Sequence, residues 1–141
     1  MFVEFDYKGD NMVYVKFSGT VQDESEIDYF LDRWRDLYNA KHFFSFVFDT
    51  TDMGMVNPKY CFKISKFIKS LKQEKIQYLT HSIMIVNNWY IKYLLKLVFA
   101  YEPPVAPVYL THVKQDVFIQ YANTLAINCK KLPKCVEILY P

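Results

Sequence analysis

Polar side chains that could do chemistry follow three apolar segments of this sequence, Phe43–Phe48, Ser82–Val86 and Val108–Leu110. Open α/β sheets bind ligands at the carboxyl ends of their strands, so these positions are predicted to line ligand- or partner-binding loops. They are Asp49, Thr50, Thr51, Asp52, Asn87, Asn88, Thr111 and His112. The two aspartates could bind a cation or a hydroxylated ligand, although loop aspartates more often form Asx turns and helix caps.

The sequence contains no pattern of residues that is typical of catalysis or metal binding. Its histidines, His42, His81 and His112, lie far apart and match no triad or metal spacing. There is no G-x-S-x-G elbow, no H-E-x-x-H and no glycine-rich phosphate loop, since the chain has three glycines. We therefore predict no catalytic residues, no metal site and no cofactor, and a protein that is not an enzyme.

The charge and cysteine content limit the partners and the compartment. The net charge is +2, and Arg33 and Arg35, both in an acidic segment, are the only arginines. Since arginine is the residue best suited to phosphate and guanine contacts, no nucleic-acid partner is expected. Cys61, Cys129 and Cys135 form no C-x-x-C pair, which fits a reducing compartment, and a single Cys129–Cys135 bridge stays open as an alternative.

The chain also lacks a signal for secretion or membrane insertion. Glu4 and Asp6 are incompatible with a signal peptide. The longest apolar stretch, 89–100, is interrupted by Lys92 and Lys96 and is too short to span a bilayer. The sequence therefore predicts no transmembrane segment and a soluble, intracellular, cytoplasmic protein.

Apolar residues alternate with polar ones over 3–7 and 13–17, and Gly9–Asn11 between them has turn chemistry, which predicts an N-terminal hairpin. Phe43–Phe48 and Ser82–Val86 are nearly continuously apolar, as is typical of parallel strands that are covered on both faces. We expect these two segments to be parallel neighbours in the sheet. The residues that follow the first of them, 49–54, are interpreted as a loop.

Helical spacing of apolar residues, together with the N-terminal signals Asp23, Pro58 and Asn88, predicts helices over about 23–39, 58–72, 89–101 and 113–125. The element order is then β-β-α-β-α-β-α-β-α. This order predicts an α/β fold with a mostly parallel central sheet, an antiparallel N-terminal hairpin strand and about four helices. We predict a single domain over 1–141, with a core at about 12–125 and a basic C-terminal tail, 126–141, that adds a short strand near 136–139.

The third helix is apolar over more of its circumference than one packed face requires, with Lys92 and Lys96 as its polar stripe. The excess must contact the tail, a second copy, a partner or a hydrophobic ligand. The residues predicted to face a partner are Trp89, Tyr90, Tyr93, Leu94 and Leu97. The second helix has a lysine-rich surface and the first an acidic one. Such surfaces are usually solvated, but they could instead pair subunits or attract an anionic partner or membrane.

The ordered pattern over about Met12 to Leu125 resembles the STAS-like superfamily of anti-sigma-factor antagonists, and secondly the related CRAL-TRIO domains. It includes Gly19 before an acidic-capped helix, an apolar strand that ends in Asp49, and the strand Ile83–Val86 before an amphipathic helix. Phosphorylated STAS members carry serines at the start of the second helix, whereas 55–60 here contains no serine or threonine. The helical N-terminal extension of CRAL-TRIO proteins is absent from this sequence.

The STAS-like resemblance implies a non-enzymatic regulatory module that docks a protein partner, or itself as a homodimer, through the third helix. The CRAL-TRIO resemblance implies instead the binding of a lipid or other hydrophobic ligand beneath that helix. A third interpretation is a structural or assembly component of a large DNA virus, which would be virion-associated. The family pattern and a residue usage typical of an AT-rich genome are compatible with it.

Overall fold

The computed structural model describes residues 2–8, 11–111 and 136–140, which form a mixed β-sheet with three helices. The strands are β1 (Val3–Lys8), β2 (Met12–Gly19), β3 (Phe44–Met53), β4 (Leu79–Ile85), β5 (Val108–Thr111) and β6 (Val136–Tyr140). The helices are α1 (Glu24–Asn39), α2 (Lys59–Leu71) and α3 (Trp89–Tyr101). The predicted α/β class is confirmed.

The six strands lie side by side in the order in which they occur along the chain. β1 and β2 form the predicted antiparallel hairpin, with Val3 opposite Phe17. β2, β3, β4 and β5 are parallel, and Phe46 of β3 lies opposite Ser82 of β4, as expected from their apolar character. β6 pairs antiparallel with β5 and closes the second edge of the sheet.

The three helices pack on the same face of this sheet. Their inward side chains form one cluster with the alternate residues of the strands, among them Phe46 and Phe48 of β3 and Leu110 of β5. Local signals fix the helix ends: the Asp23 side chain accepts a hydrogen bond from the Ser25 backbone at the start of α1. Asn88 does the same for α3, as predicted, by accepting from Tyr90 N.

Two predicted boundaries of the central strands were wrong. The interpretation of 49–54 as a loop fails because β3 continues to Met53, paired with Gly19 at the end of β2. A salt bridge of 3.1 Å between Lys16 and Asp52 supports this extension, so polar side chains here accompany strand pairing. β4 also begins earlier than predicted, at Leu79 instead of Ser82.

The described residues contain three helices, not the predicted four, and end on β6, which agrees with the strand expected near 136–139. The fourth helix was predicted at 113–125, which lies outside the described residues. Within the described part of the chain, no helix has the length and apolar character needed to cross a membrane.

Aromatic rings dominate the core between the sheet and α1. Phe46 is fully buried, and its ring centroid lies 4.6 Å from that of Phe48 and 5.4 Å from that of Trp34 in α1. Trp34 in turn contacts Phe67 of α2 at 5.0 Å. Because each ring removes a large apolar area from water and touches the next, this row ties β3 to α1 and α2.

Replacing Phe46 by alanine should lower the free energy of unfolding by about 3–5 kcal/mol, because a buried ring is lost and a void is left. Phe43, three residues earlier and 57% exposed, provides a matched control. Phe43→Ala should cost less than about 1 kcal/mol. Urea denaturation followed by circular dichroism measures both values, and similar losses for the two variants would contradict the burial of Phe46.

Candidate functional site

A cavity of about 140 Å³ lies between the helix-covered face of the sheet and the three helices. α1 contributes Phe30 and Trp34, β3 contributes Phe48, and α3 contributes Leu94 and Val98. The cavity is partly open to the surface. Because protein interiors are closely packed, an apolar space of this size between the sheet and its helices requires an explanation.

The cavity follows from an uneven distribution of side-chain volume. On the α1 side, the large rings of Phe46 and Phe48 fill the space above β3. On the α2–α3 side, the wall includes the small side chains of Cys61, Ser82 and Ala106. Ser82 is the small residue that faces the helices from the sheet, and its side chain leaves space between β4 and the helices α2 and α3.

The wall of the cavity is almost entirely apolar. Thr50 is one of its few polar residues, and its hydroxyl donates a hydrogen bond of 2.8 Å to the backbone oxygen of Ile85. Cys61 is also buried in the wall, and burial raises the pKa of its thiol, so that the thiol remains protonated and uncharged. A charged ligand group would thus find no counter-charge among the wall residues.

One polar group of the wall retains unused hydrogen-bonding capacity. The Ser82 hydroxyl makes no hydrogen bond with any residue that the structure describes. Because an unpaired buried hydroxyl is costly, Ser82 favours a ligand that carries at least one acceptor atom.

The predicted strand-end residues do not converge on one pocket. Asp49 and Thr51 belong to β3, and the fully buried Asp49 carboxylate accepts hydrogen bonds from the hydroxyls of Tyr14 and Thr51. Thr50 points to the opposite side, into the cavity wall. Asp52 is exposed and paired with Lys16. These four consecutive residues therefore have three different surroundings: Asp49 and Thr51 lie together on one side of β3, Thr50 lies on the cavity side, and Asp52 is at the surface.

The remaining residues of that prediction have separate positions as well. Asn87 is exposed, whereas Asn88 caps α3. Thr111 is buried at the end of β5, and its backbone oxygen accepts a hydrogen bond of 2.7 Å from Val86 N. His112 lies outside the described residues.

The side chains of α3 that were predicted to face a partner divide between its two sides. Trp89 is 80% exposed and Tyr93 is 52% exposed. Leu94 is buried against the cavity and Leu97 is half-buried on the core, because both lie on the side of the helix that packs on the fold. Tyr90 is half-buried, with its hydroxyl donating to the backbone oxygen of Val56 at 2.7 Å.

His81 is a buried histidine on β4 that was not singled out from the sequence. The Thr80 hydroxyl donates to Phe44 O, so Nδ1 of His81, 3.0 Å from the same hydroxyl, is the donor in their contact. Its Nε2 then carries a lone pair, and this buried atom has no partner within the described part of the chain. Burial lowers the pKa of His81, which keeps the ring neutral.

In the described ranges, 2–8, 11–111 and 136–140, no group of three or more His, Cys, Asp or Glu side chains could hold a metal ion. The cavity is therefore the candidate site. Most of the residues that line the cavity were not predicted from the sequence. The feature of the sequence that indicated the cavity was the broad apolar surface of α3.

His81 should make stability depend on pH. Its pKa is lowered in the folded state, so between that pKa and about 6.5 the unfolded chain binds more protons. The free energy of unfolding should fall as the pH falls through this window. Urea denaturation at several pH values should show a shallower dependence for His81→Gln, and an unchanged one for the exposed control His42→Gln. Identical pH profiles for His81→Gln and the unaltered protein would contradict this effect.

Comparison with known proteins does not assign the chain to a family. No protein-family model matches the sequence, and no curated protein matches it either. Function is therefore inferred from the fold, the cavity and the surface of the molecule.

Proposed function

We propose that the protein binds a small apolar ligand in the cavity between the sheet and α1–α3. The single observation that carries this proposal is the cavity itself, about 140 Å³ with an almost wholly apolar wall. An engineered cavity of about 150 Å³ with a similar lining in another protein stays dry and binds benzene. The ligand, or the part of it that enters the cavity, is thus about the size of one aromatic ring or a short acyl segment.

Energetics support a ligand in this position. Filling the space with apolar atoms restores dispersion contacts to the wall and removes the ligand from water. Binding would therefore stabilise the folded chain as the ligand concentration rises.

This proposal corresponds to the second of the two resemblances, the binding of a hydrophobic molecule beneath the third helix. The STAS-like docking of a protein partner or a second copy needs α3 side chains at the surface. Of the five residues predicted for that role, Trp89 and Tyr93 are the ones that are largely exposed. The docking function stays a prediction, and so does the viral assembly function.

Quenching of Trp34 fluorescence by a brominated ligand tests the proposal directly. Trp34 lines the cavity and Trp89 is the only other tryptophan, so the Trp89→Phe variant reports on the cavity alone. Bromobenzene should quench this tryptophan in a saturable manner and raise the melting temperature. Ser82→Phe, which places a ring in the cavity, should abolish both effects.

Ser18→Phe makes the same replacement at a half-exposed position of β2 outside the cavity, and it should leave quenching intact. Equal quenching in the Ser82→Phe and Ser18→Phe variants would show that bromobenzene binds elsewhere. The absence of saturable quenching in all variants would overturn the proposed function.

The unused hydroxyl of Ser82 predicts a preference between two ligands of nearly the same shape. 4-Bromoanisole has an ether oxygen where 4-bromoethylbenzene has a methylene group. If the oxygen accepts from Ser82 Oγ, the ether should bind roughly fivefold more tightly, because one hydrogen bond contributes about 1 kcal/mol. Titration of Trp34 quenching gives both dissociation constants, and tighter binding of the hydrocarbon would contradict the role of Ser82.

A further inference from the structure

The outer face of α2 and α3 combines exposed aromatic rings with lysines. We call it the basic aromatic face, and it consists of Lys59, Phe62, Lys66, Lys69, Trp89, Tyr93, Lys96 and Tyr101, each of which is exposed. The rings of Phe62 and Tyr101 lie 4.6 Å apart and join the two helices at this surface.

The charge of this face is entirely positive. α2 and α3 together contain six lysines and no aspartate or glutamate. Lys63 is neutralised by Glu24 and Asp28 of α1. By contrast, no carboxylate of the described residues forms an ion pair with Lys66, Lys69 or Lys96.

The aromatic rings are much more exposed than large apolar side chains usually are. Trp89 is 80% exposed, Tyr101 54%, Tyr93 52% and Phe62 48%. A cluster of exposed apolar side chains of this kind marks an interaction surface. The lysines require a partner of opposite charge, and the rings require a partner with an apolar layer.

We infer that the basic aromatic face docks onto the surface of an anionic lipid bilayer. Tryptophan and tyrosine are the residues that prefer the boundary between lipid headgroups and acyl chains. Lysines beside them attract anionic lipids while their long stems lie along apolar surface. An acidic protein would need apolar pockets for four separate rings, whereas the interfacial layer of a bilayer accepts all of them without such pockets.

The biological role of this docking rests on the proposed function, because the two helices that carry the basic aromatic face also form part of the cavity wall. Cys61 and Ile68 of α2, and Leu94 and Val98 of α3, point inward from the helices whose outer sides carry the basic aromatic face. Docking would thus bring the cavity wall against the bilayer, where apolar ligands are stored. α1, on the other side of α2, has an acidic exterior that includes Asp32 and Asp36, which favours one orientation on an anionic surface.

Vesicle co-sedimentation and the fluorescence of Trp89 test the docking. The full chain should sediment with vesicles of phosphatidylcholine and phosphatidylserine but not with phosphatidylcholine alone, and added salt should release it. The emission of Trp89 should shift to shorter wavelength on binding. The shift should be absent in Trp89→Phe, because the remaining tryptophan, Trp34, is already buried.

Charge reversal on the face should be specific to its position. The double variant Lys66→Glu/Lys69→Glu should weaken vesicle binding by roughly thirtyfold or more. The control Lys41→Glu/Lys75→Glu makes the same change in net charge at exposed lysines outside the two helices, and it should stay within about twofold of the unaltered protein. Equal losses in the two double variants would overturn the assignment to this face.

Two further measurements separate the alternatives. Poly-glutamate that shifts the Trp89 emission as strongly as the vesicles do would overturn the inference in favour of an acidic protein partner. Failure of the unaltered chain to bind either kind of vesicle would overturn it altogether.

The Lys66→Glu/Lys69→Glu variant should still show Trp34 quenching by bromobenzene, measured in the Trp89→Phe background, and Ser82→Phe should still bind vesicles. Failure of docking and failure of cavity binding are therefore distinguishable.

Discussion

The packing of the β3 aromatic row against α1 is the interaction on which the rest of the structure depends. Phe44, Phe46 and Phe48 stack along one face of the central strand, with ring centroids 5.1 Å and 4.6 Å apart. These rings fill the space beneath α1 and, through Trp34, reach α2. On the neighbouring strand β4, the residue opposite Phe46 is Ser82, which fills far less space. The contrast between these neighbours leaves the cavity, so the stability of the fold and its candidate site have the same origin.

Much of the fold could be predicted because its signals are local. Asn88 and the prolines after Glu102 bracket α3, and continuous apolar character identified the two central strands as parallel neighbours. The extension of β3 through Asp52 could not be predicted in this way. Its polar residues have the composition of a loop, and they form a strand because Ser18 and Gly19, more than thirty residues earlier, provide the ladder. The length of β3 is therefore determined by the pairing of distant segments, and the amino-acid composition of a short window does not reveal such pairing.

The candidate site was harder to predict than the fold. The rule that ligands bind at strand ends directed attention to Asp49 and its neighbours, yet the hydroxyls of Tyr14 and Thr51 donate to that carboxylate in the folded chain. The cavity depends instead on the relative volumes of side chains contributed by several helices and strands. One local signal did lead to it. The broad apolar surface of α3 exceeds what one packed face needs, because Leu94 and Val98 line a space while Trp89 and Tyr93 lie outside.

α3 thus connects the two proposals. Its inner side chains form part of the apolar wall, and its outer side chains form half of the basic aromatic face. Besides their shared apolar core, α2 and α3 are joined by the Phe62–Tyr101 ring pair, by a hydrogen bond of 3.1 Å from the Ser65 hydroxyl to Val98 O, and by an ion pair between their C-terminal cap residues, Lys72 and Glu102. The ring pair and the ion pair lie at or near the surface, where each contributes little to stability. A bilayer that accepted the rings and lysines would therefore compete with the surface contacts that hold α2 to α3, the two helices whose inner side chains line the cavity.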